Sequence, residues 1–471
     1  MVPVAPWITT ILRPGTGIPF LVTYSLHFIT SPASHLSRKP IFALKTHSMK
    51  TSAILLLIFI LFTSQVNKPS IHELISRQTD EIYDSLVQVR RYFHANPELA
   101  GKEAGTQQVI VQYLRKLGME VDTSIYGHSV VGILHGSKPG RSIAWRADMD
   151  ALPTEFADNN EFSSTIPGVQ HACGHDVHMA IGLGIATILA KNKAVLPGTV
   201  YFIFQPEEET FKGAKNMIAH GLFSKIHPEE LYGLHVTPFP AGQIMVKPGE
   251  MFAYQKGISI RLKNDVSEAA GSLLSKQIYE ALSRRKPGAR PWEIQHIIDT
   301  AAGLMNPGTM YKDYLIMDEH FRIFTDRTEL VLESDLYETN KANLETIIPK
   351  ITALINTTQF KDNLVSVSFT HGNPIVQNDT RLTNEAIKEL NKIYGPGLMV
   401  PDYGQVPYFN DDFTYFQQKV PGVYFFLGGS NFQRKVIAMN HAPDFKVDES
   451  CIRVGIKTFS SLLVQRLIER N

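Results

Sequence analysis

Cysteine is nearly absent: the 471 residues hold two, Cys173 and Cys451, too few for a disulfide framework. An excess of one charge is lacking as well. Lys and Arg total 46 against 45 Asp and Glu, a net charge of +1, which leaves no electrostatic footprint for nucleic acid. There is no internal repeat and no low-complexity tract. Hydrophobic residues make up 44% and charged ones 19%, a balance that excludes a disordered chain or a long coiled coil. The apolar run Ala53–Phe62 (AILLLIFILF) falls short of the roughly 20 residues that span a bilayer as a helix. What remains is a globular chain with room for two or three domains at about 100–200 residues each.

That apolar run has a second meaning. Met49-Lys50 precedes it and Thr63-Ser64-Gln65 follows it, the charged, apolar and polar order of an export signal. No small-x-small cleavage site follows. Residues 1–48 show no sustained period and are expected to be unstructured or an upstream extension; synthesis from Met49 would put a signal at 49–65. A leader over 1–70 and export to a periplasmic or secreted location are therefore expected, with a cytoplasmic location as the alternative.

From residue 71 the pattern becomes regular. Leu74, Ile75, Ile82, Leu86 and Val89 recur at helical spacing over 71–94, up to Asn96-Pro97, a stop for helices. A second helix is predicted over 104–117, with Gly118 suited to its C-terminal cap. Short apolar runs at 130–134, 142–145, 199–204 and 231–236 predict strands, with a helix at about 176–190 between the second and third. Strands alternating with helices predict an α/β layered domain around a largely buried sheet. Near Gly249 the texture changes. Residues 251–365 mix strands at 257–262 and 329–332 with helices at 269–284 and 343–357. A helix at 382–393, a strand at 422–427 and a helix at 450–468 follow. The middle segment therefore looks inserted into a domain built from 71–250 and 366–471.

The densest chemistry is His171-Ala-Cys-Gly-His-Asp-Val-His178: three imidazoles, a thiol and a carboxylate in eight positions. Thiolate and imidazole are preferred ligands of borderline transition metals. A structural zinc knuckle needs a second ligand pair nearby, and the next cysteine is Cys451. Distant oxygen or nitrogen ligands must then complete the site, as in an open catalytic centre. Gln205-Pro-Glu-Glu-Glu209 follows a predicted strand, and three adjacent carboxylates repel unless a cation or solvent relieves them. One carboxylate can bind metal while a free neighbour takes a proton from water. Arg146-Ala-Asp-Met-Asp150 also lies at a strand end; Asp148 and Asp150, with Asp176 in the cluster itself, suit orientation of ligand imidazoles. His235 and His441 each sit where an apolar run stops.

These segments together resemble the metal-dependent amidohydrolases related to hippurate hydrolase, N-acyl-amino-acid amidohydrolases and auxin-conjugate hydrolases. The resemblance rests on Arg90–Leu99, Arg146–Pro153, His171–Asp176, Gln205–Glu209, Gly233–Val236, Asp411–Phe416 and Asn440–Pro443, in family order. It implies a di-metal aminopeptidase-like α/β catalytic domain with a mixed central sheet, interrupted by a smaller α+β, ferredoxin-like lid. It further implies Cys173, His175, Glu209, His235 and His441 as ligands of two divalent ions (Mn or Zn), with Cys173 as bridge and Glu208 as general base. Glu207, where the family usually has Ala, becomes a bystander. The implied reaction is hydrolysis of an amide in an N-acyl amino acid, dipeptide or related conjugate, and the implied assembly a homodimer through the lid. The lid departs from the pattern. A Gly-Gly-His motif is replaced by Leu262–Ala270, an expected Arg by Tyr337, and the nearby His296 and His320 have no supporting spacing. These losses define the alternative, a metal-binding module without turnover.

Overall fold

The computed structural model describes residues 69–154, 161–263, 265–284, 294–442 and 444–469. The first helix is Ile71–Ala95. It opens on a reciprocal cap, the Ser70 hydroxyl accepting from the Glu73 amide (3.2 Å) and the Glu73 carboxylate from the Ser70 amide (2.7 Å). Its inward stripe holds Ile75, Ile82, Leu86 and Phe93, and with them two polar residues one turn apart, Arg90 and His94. The next helix, Ala104–Lys116, leads into the sheet.

The larger sheet has eight strands, in the order Glu120–Asp122, Val130–His135, Pro197–Gln205, Lys138–Asp148, Glu230–Pro240, Gly422–Ser430, Ile244–Met245 and Met399–Val400. Its four central strands run parallel, while Val130–His135 and Ile244–Met245 join antiparallel. The sheet is therefore mixed. Every residue of Gly422–Ser430 is buried, as a strand covered on both faces requires. Helices His175–Lys191 and Ser450–Ile468 pack on each other and on Lys138–Asp148. Gly184 makes that packing possible, because a Cβ there would lie 2.4 Å from Ile456 Cδ1.

Residues 254–369 build a separate five-stranded antiparallel sheet with its own core of Ile258, Ile260, Leu332, Ile347 and Ile351. Tyr254–Lys263 lies between Leu364–Phe369 and Glu329–Glu338, and Leu315–Met317 and Arg322–Asp326 share the far side of Glu329–Glu338. Helices Glu268–Leu282 and Lys341–Asn356 accompany it. Counting the two short strands as one, the order is four-one-three-two, the α+β ferredoxin-like arrangement. Strand Leu364–Phe369 pairs into this sheet, so the return to the first sheet comes later than the expected residue 366. The strand end bearing Arg146 and Asp148 belongs to Lys138–Asp148 itself, beyond the predicted 142–145.

The apolar run 53–62 and the whole 49–65 segment lie outside the described residues. Among the described residues no helix is long and apolar enough to cross a membrane. Cys173 and Cys451 are both buried and free.

Candidate metal centre

Parallel strands deliver their C-terminal ends to one edge of a sheet, where chain reversals are free to carry chemistry. Here the register sets Asp148 opposite Gln205 and His235 opposite Phe426. The residues just past the first pair, Asp150 and Glu207–Glu209, consequently meet. His175 enters from the start of helix His175–Lys191. Gly174 precedes it at φ +95°, where a Cβ would lie 2.3 Å from Val236 Cγ1. That position demands glycine on two counts. His441 also has a left-handed backbone, φ +61°, unusual for a residue with a side chain and typical of functional positions.

The five expected ligands converge. Cys173, His175 and His235 form one set of donor atoms within 4.8 Å of one another, and Cys173, Glu209 and His441 form a second that shares the thiol. Cys173 Sγ lies 3.3 Å from His235 Nε2, and His441 Nε2 3.3 Å from Glu209 Oε2. Glu208 stands beside them, its Oε2 3.7 Å from His175 Nε2.

Backbone carbonyls fix the tautomers. His175 Nδ1 donates to the Asp150 carbonyl at 2.8 Å and His235 Nδ1 to the Val236 carbonyl at 2.7 Å, so each ring turns Nε2 towards the cluster. His175 Nε2 and Glu209 Oε1 are buried without a hydrogen-bond partner. Two orphaned ligand atoms at one point suit a cation. The charge balance agrees. Burial would lower the His175 pKa, but Asp148 and its neighbours raise it to about 10. Burial, then Glu209 and Glu208, push the Cys173 thiol well up. Burial also acts on Glu209, yet His441 and His175 hold its carboxyl down at about 2. The cluster is short of positive charge, and its donor set fits two divalent ions.

His178 is excluded from that set. The Val236 amide donates to its Nε2 at 2.8 Å, which leaves the proton on Nδ1 to bond Asp148 Oδ1 at 2.6 Å. Both nitrogens are spent. Asp148 thus orients an imidazole next in space to the ligands, that of His178. Asp150 spans ligand and base, its two carboxylate oxygens accepting from the Glu208 amide (3.1 Å) and the Glu209 amide (3.0 Å). Asp176 sits one step removed from the ligands, paired with Arg90 Nε at 2.7 Å and His94 Nδ1 at 2.8 Å. His171 is buried with neither ring nitrogen partnered, and burial lowers its pKa to about 3. The cleft that opens on the cluster takes Gln255 and Ile297 from the second-sheet segment. Among the described residues, His296, His320 and those of 262–270 do not line it.

Two supports were given no role by the sequence: Arg146, whose motif was read but whose partners were not, and Glu103, which lies outside the motifs. Arg146 sits among Asp148, Asp411 and Asp412, behind Glu208, to whose Oε1 the Asp412 amide points at 3.4 Å. Glu103, at the start of helix Ala104–Lys116, accepts the Gly101 amide at 2.9 Å and the Glu207 amide at 3.0 Å. It thereby holds Glu207 at φ +56°. Three successive amides of the acidic loop, those of Glu207, Glu208 and Glu209, end on buried carboxylates. The Glu207 side chain is engaged elsewhere, accepting from the Tyr126 hydroxyl at 2.5 Å.

Burial raises the Glu103 carboxyl to about 7, against the pull of the amides it accepts. A folded pKa above the unfolded one contributes stability that is complete in acid and is lost as pH rises through about 7. The thermal midpoint is therefore expected to fall between about pH 5 and 7, and Glu103→Gln to flatten that slope. Equal slopes in parent and variant, by calorimetry, would assign the loss elsewhere.

The family described as Peptidase family M20/M25/M40 matches residues 144–465. A relative named thermostable carboxypeptidase 2, from Saccharolobus solfataricus, is 33% identical over 411 residues, covering 83% of this chain and 98% of the relative. One named IAA-amino acid hydrolase ILR1-like 4, from Arabidopsis thaliana, is 28% identical, covering 83% and 87%. Among solved structures, the Bacillus subtilis YXEP protein, described as a dinuclear metal binding peptidase, is 26% identical with a TM-score of 0.65. That match covers 82% of this chain and 99% of the other.

Proposed function

The chain belongs to peptidase family M20/M25/M40, and from that membership we propose that it hydrolyses the amide bond of an N-acyl amino acid, dipeptide or related conjugate at a pair of Mn or Zn ions. The observation that carries the reading is the convergence of Cys173, His175, Glu209, His235 and His441 in two donor sets sharing one thiol, with Glu208 beside them. Drift after loss of catalysis gives no reason to keep the base with the ligands, which counts against a metal-binding module without turnover.

In this reading His175 and His235 would hold one ion and Glu209 and His441 the other, with Cys173 belonging to both donor sets. When bound, the ions lower the pKa of water and polarise the amide carbonyl. Glu208 accepts the water proton and later donates it to the leaving amine. Asp150 keeps base and ligand in register through adjacent amides. Asp148 and His178 tie strand end Asp148 to strand Glu230–Pro240 at Val236.

The test is metal content by mass spectrometry beside turnover on a panel of N-acyl amino acids and dipeptides. Chelated protein is expected to lose activity and regain it on reloading with Mn or Zn, at two ions per chain. Undiminished turnover in the chelated protein would end the reading. Export through residues 49–65 and a homodimer through the second sheet belong to the same proposal. The N-terminal sequence of secreted protein and sedimentation in solution test them.

A further inference from the structure

His441 is the least supported of the five donors. His175 opens a helix and His235 lies within a strand. His441 instead stands in a turn, its side chain 55% exposed and its backbone at φ +61°. A bulky residue keeps such a conformation only where the surroundings over-determine it. Two contacts do so here. The His441 amide donates to the Ala172 carbonyl at 2.9 Å. The buried side chain of Asn440 takes the next carbonyl along, donating from Nδ2 to Cys173 at 2.9 Å, and donates as well to the Val236 carbonyl at 3.1 Å.

Those two carbonyls define what can sit at position 440. Both are acceptors, so a short side chain that bridges them must offer two hydrogens. An amide NH2 does so, whereas a hydroxyl has one and a carboxylate none. The Val236 carbonyl also accepts from His235 Nδ1 at 2.7 Å. One amide thus pins three segments together: the turn of His441, the segment of Cys173 and the strand end of His235. The remaining donors have ties of their own, His175 to the Asp150 carbonyl and Glu209 to the Asp150 carboxylate.

Building on the two-ion reading of this centre, we propose that Asn440 is a positioning residue: it holds the His441 turn on the Cys173 and His235 segments, and so sets the affinity of the Cys173–Glu209–His441 donor set for its ion. The other set, Cys173, His175 and His235, does not depend on it in the same way, because a helix start and a paired strand carry its two imidazoles.

Zinc content of the full chain against buffered free zinc, by mass spectrometry, decides it. The parent is expected to fill two sites. Asn440→Ala, and Asn440→Leu, which keeps a similar shape without a hydrogen to donate, should each weaken one site about 10–100-fold, the usual effect of losing a group that orients a ligand. The other site should stay where it was. In a His441→Ala background, Asn440→Ala should leave the affinity for the remaining ion unchanged, since Asn440 acts through His441. Asn440 borders the cleft, so water can enter where its side chain is cut back, and the metal-free variants should melt as cooperatively as the metal-free parent. Equal zinc affinity in parent and both variants overturns the inference and leaves the two-ion reading in place. So does an equal loss at both sites, or a metal-free variant that does not fold, since either makes Asn440 a residue of the fold. A parent that binds fewer than two ions removes the reading itself, and this inference with it.

Discussion

Glu208→Gln is expected to lower kcat by about 10²–10⁴-fold, the range for losing a positioned acid–base group, while leaving the metal content at that of the parent. The substitution keeps volume and shape, and the amide oxygen of Gln still accepts from the Asp412 amide as Glu208 Oε1 does at 3.4 Å. What it removes is the capacity to take a proton and return it. Glu208 is set apart from Glu209 by its neighbours. Burial, then Asp411, Glu209 and Asp412, push its carboxyl well up, whereas His441 and His175 hold Glu209 down. Two adjacent carboxylates driven in opposite directions are suited to different tasks, one to proton transfer and one to binding a cation. Metal analysis and single-turnover kinetics on the same sample check the prediction. Unchanged kcat would take the base role away from Glu208, and loss of an ion would make it a ligand.

How much of this was legible in the sequence varies with the range of the interaction. The ligands could be read because local motifs carry them: a thiol and an imidazole two apart, three carboxylates at a strand end, and histidines where apolar runs stop. Secondary structure was legible where periodicity was long, as in Ile71–Ala95 and Ser450–Ile468. It was not legible for Leu315–Met317 or Arg322–Asp326, which are too short to show a period. Within the His171–His178 cluster only the family resemblance singled out His175; residue chemistry alone did not. Composition gives three equivalent imidazoles, and only the Val236 amide on His178 Nε2 shows that this ring has no lone pair to offer. Glu103 was missed because its partner, the Glu207 amide, lies 104 positions away. Arg90 and His94 did leave a signal. Spaced four apart on the apolar stripe of the first helix, they had to be buried, and a buried cation announces a carboxylate, here Asp176.

The largest stability effect is expected at Arg146, whose motif was legible but whose partners were not. Its guanidinium is fully buried. It meets Asp148 at 2.6 Å, Asp411 at 3.0 Å and Asp412 at 3.1 Å, and donates from Nε to the Gln205 side chain at 2.8 Å. The Tyr424 hydroxyl adds a further donor to Asp411. Three buried carboxylates around one cation already carry more negative charge than it balances. Burial, with Asp411 adding to it and Arg146 opposing, raises Asp412 to about 8. Arg146→Met leaves Asp411 and Asp412 without a counter-ion while Asp148 keeps His178, and breaking a buried pair in this way costs about 3–5 kcal/mol. The sign of the pH dependence follows. Arg146 holds the Asp412 carboxyl down against burial, so its removal drives that folded pKa further above the unfolded one, and the loss is greatest at neutral pH and is relieved as acid protonates the group. Urea denaturation at about pH 7.5 and 5.5 should therefore give a smaller deficit at the lower pH. Arg146→Lys should fall between, because an ammonium keeps the charge but not the planar fork that reaches several acceptors. A deficit under about 1 kcal/mol, or one unchanged by pH, would mean that the network is solvated rather than sealed. Any Arg146→Met protein that does fold should still be slow. Asp148 would lose one of the two groups that fix it against His178, and Asp412, whose amide faces Glu208, would lose its anchor.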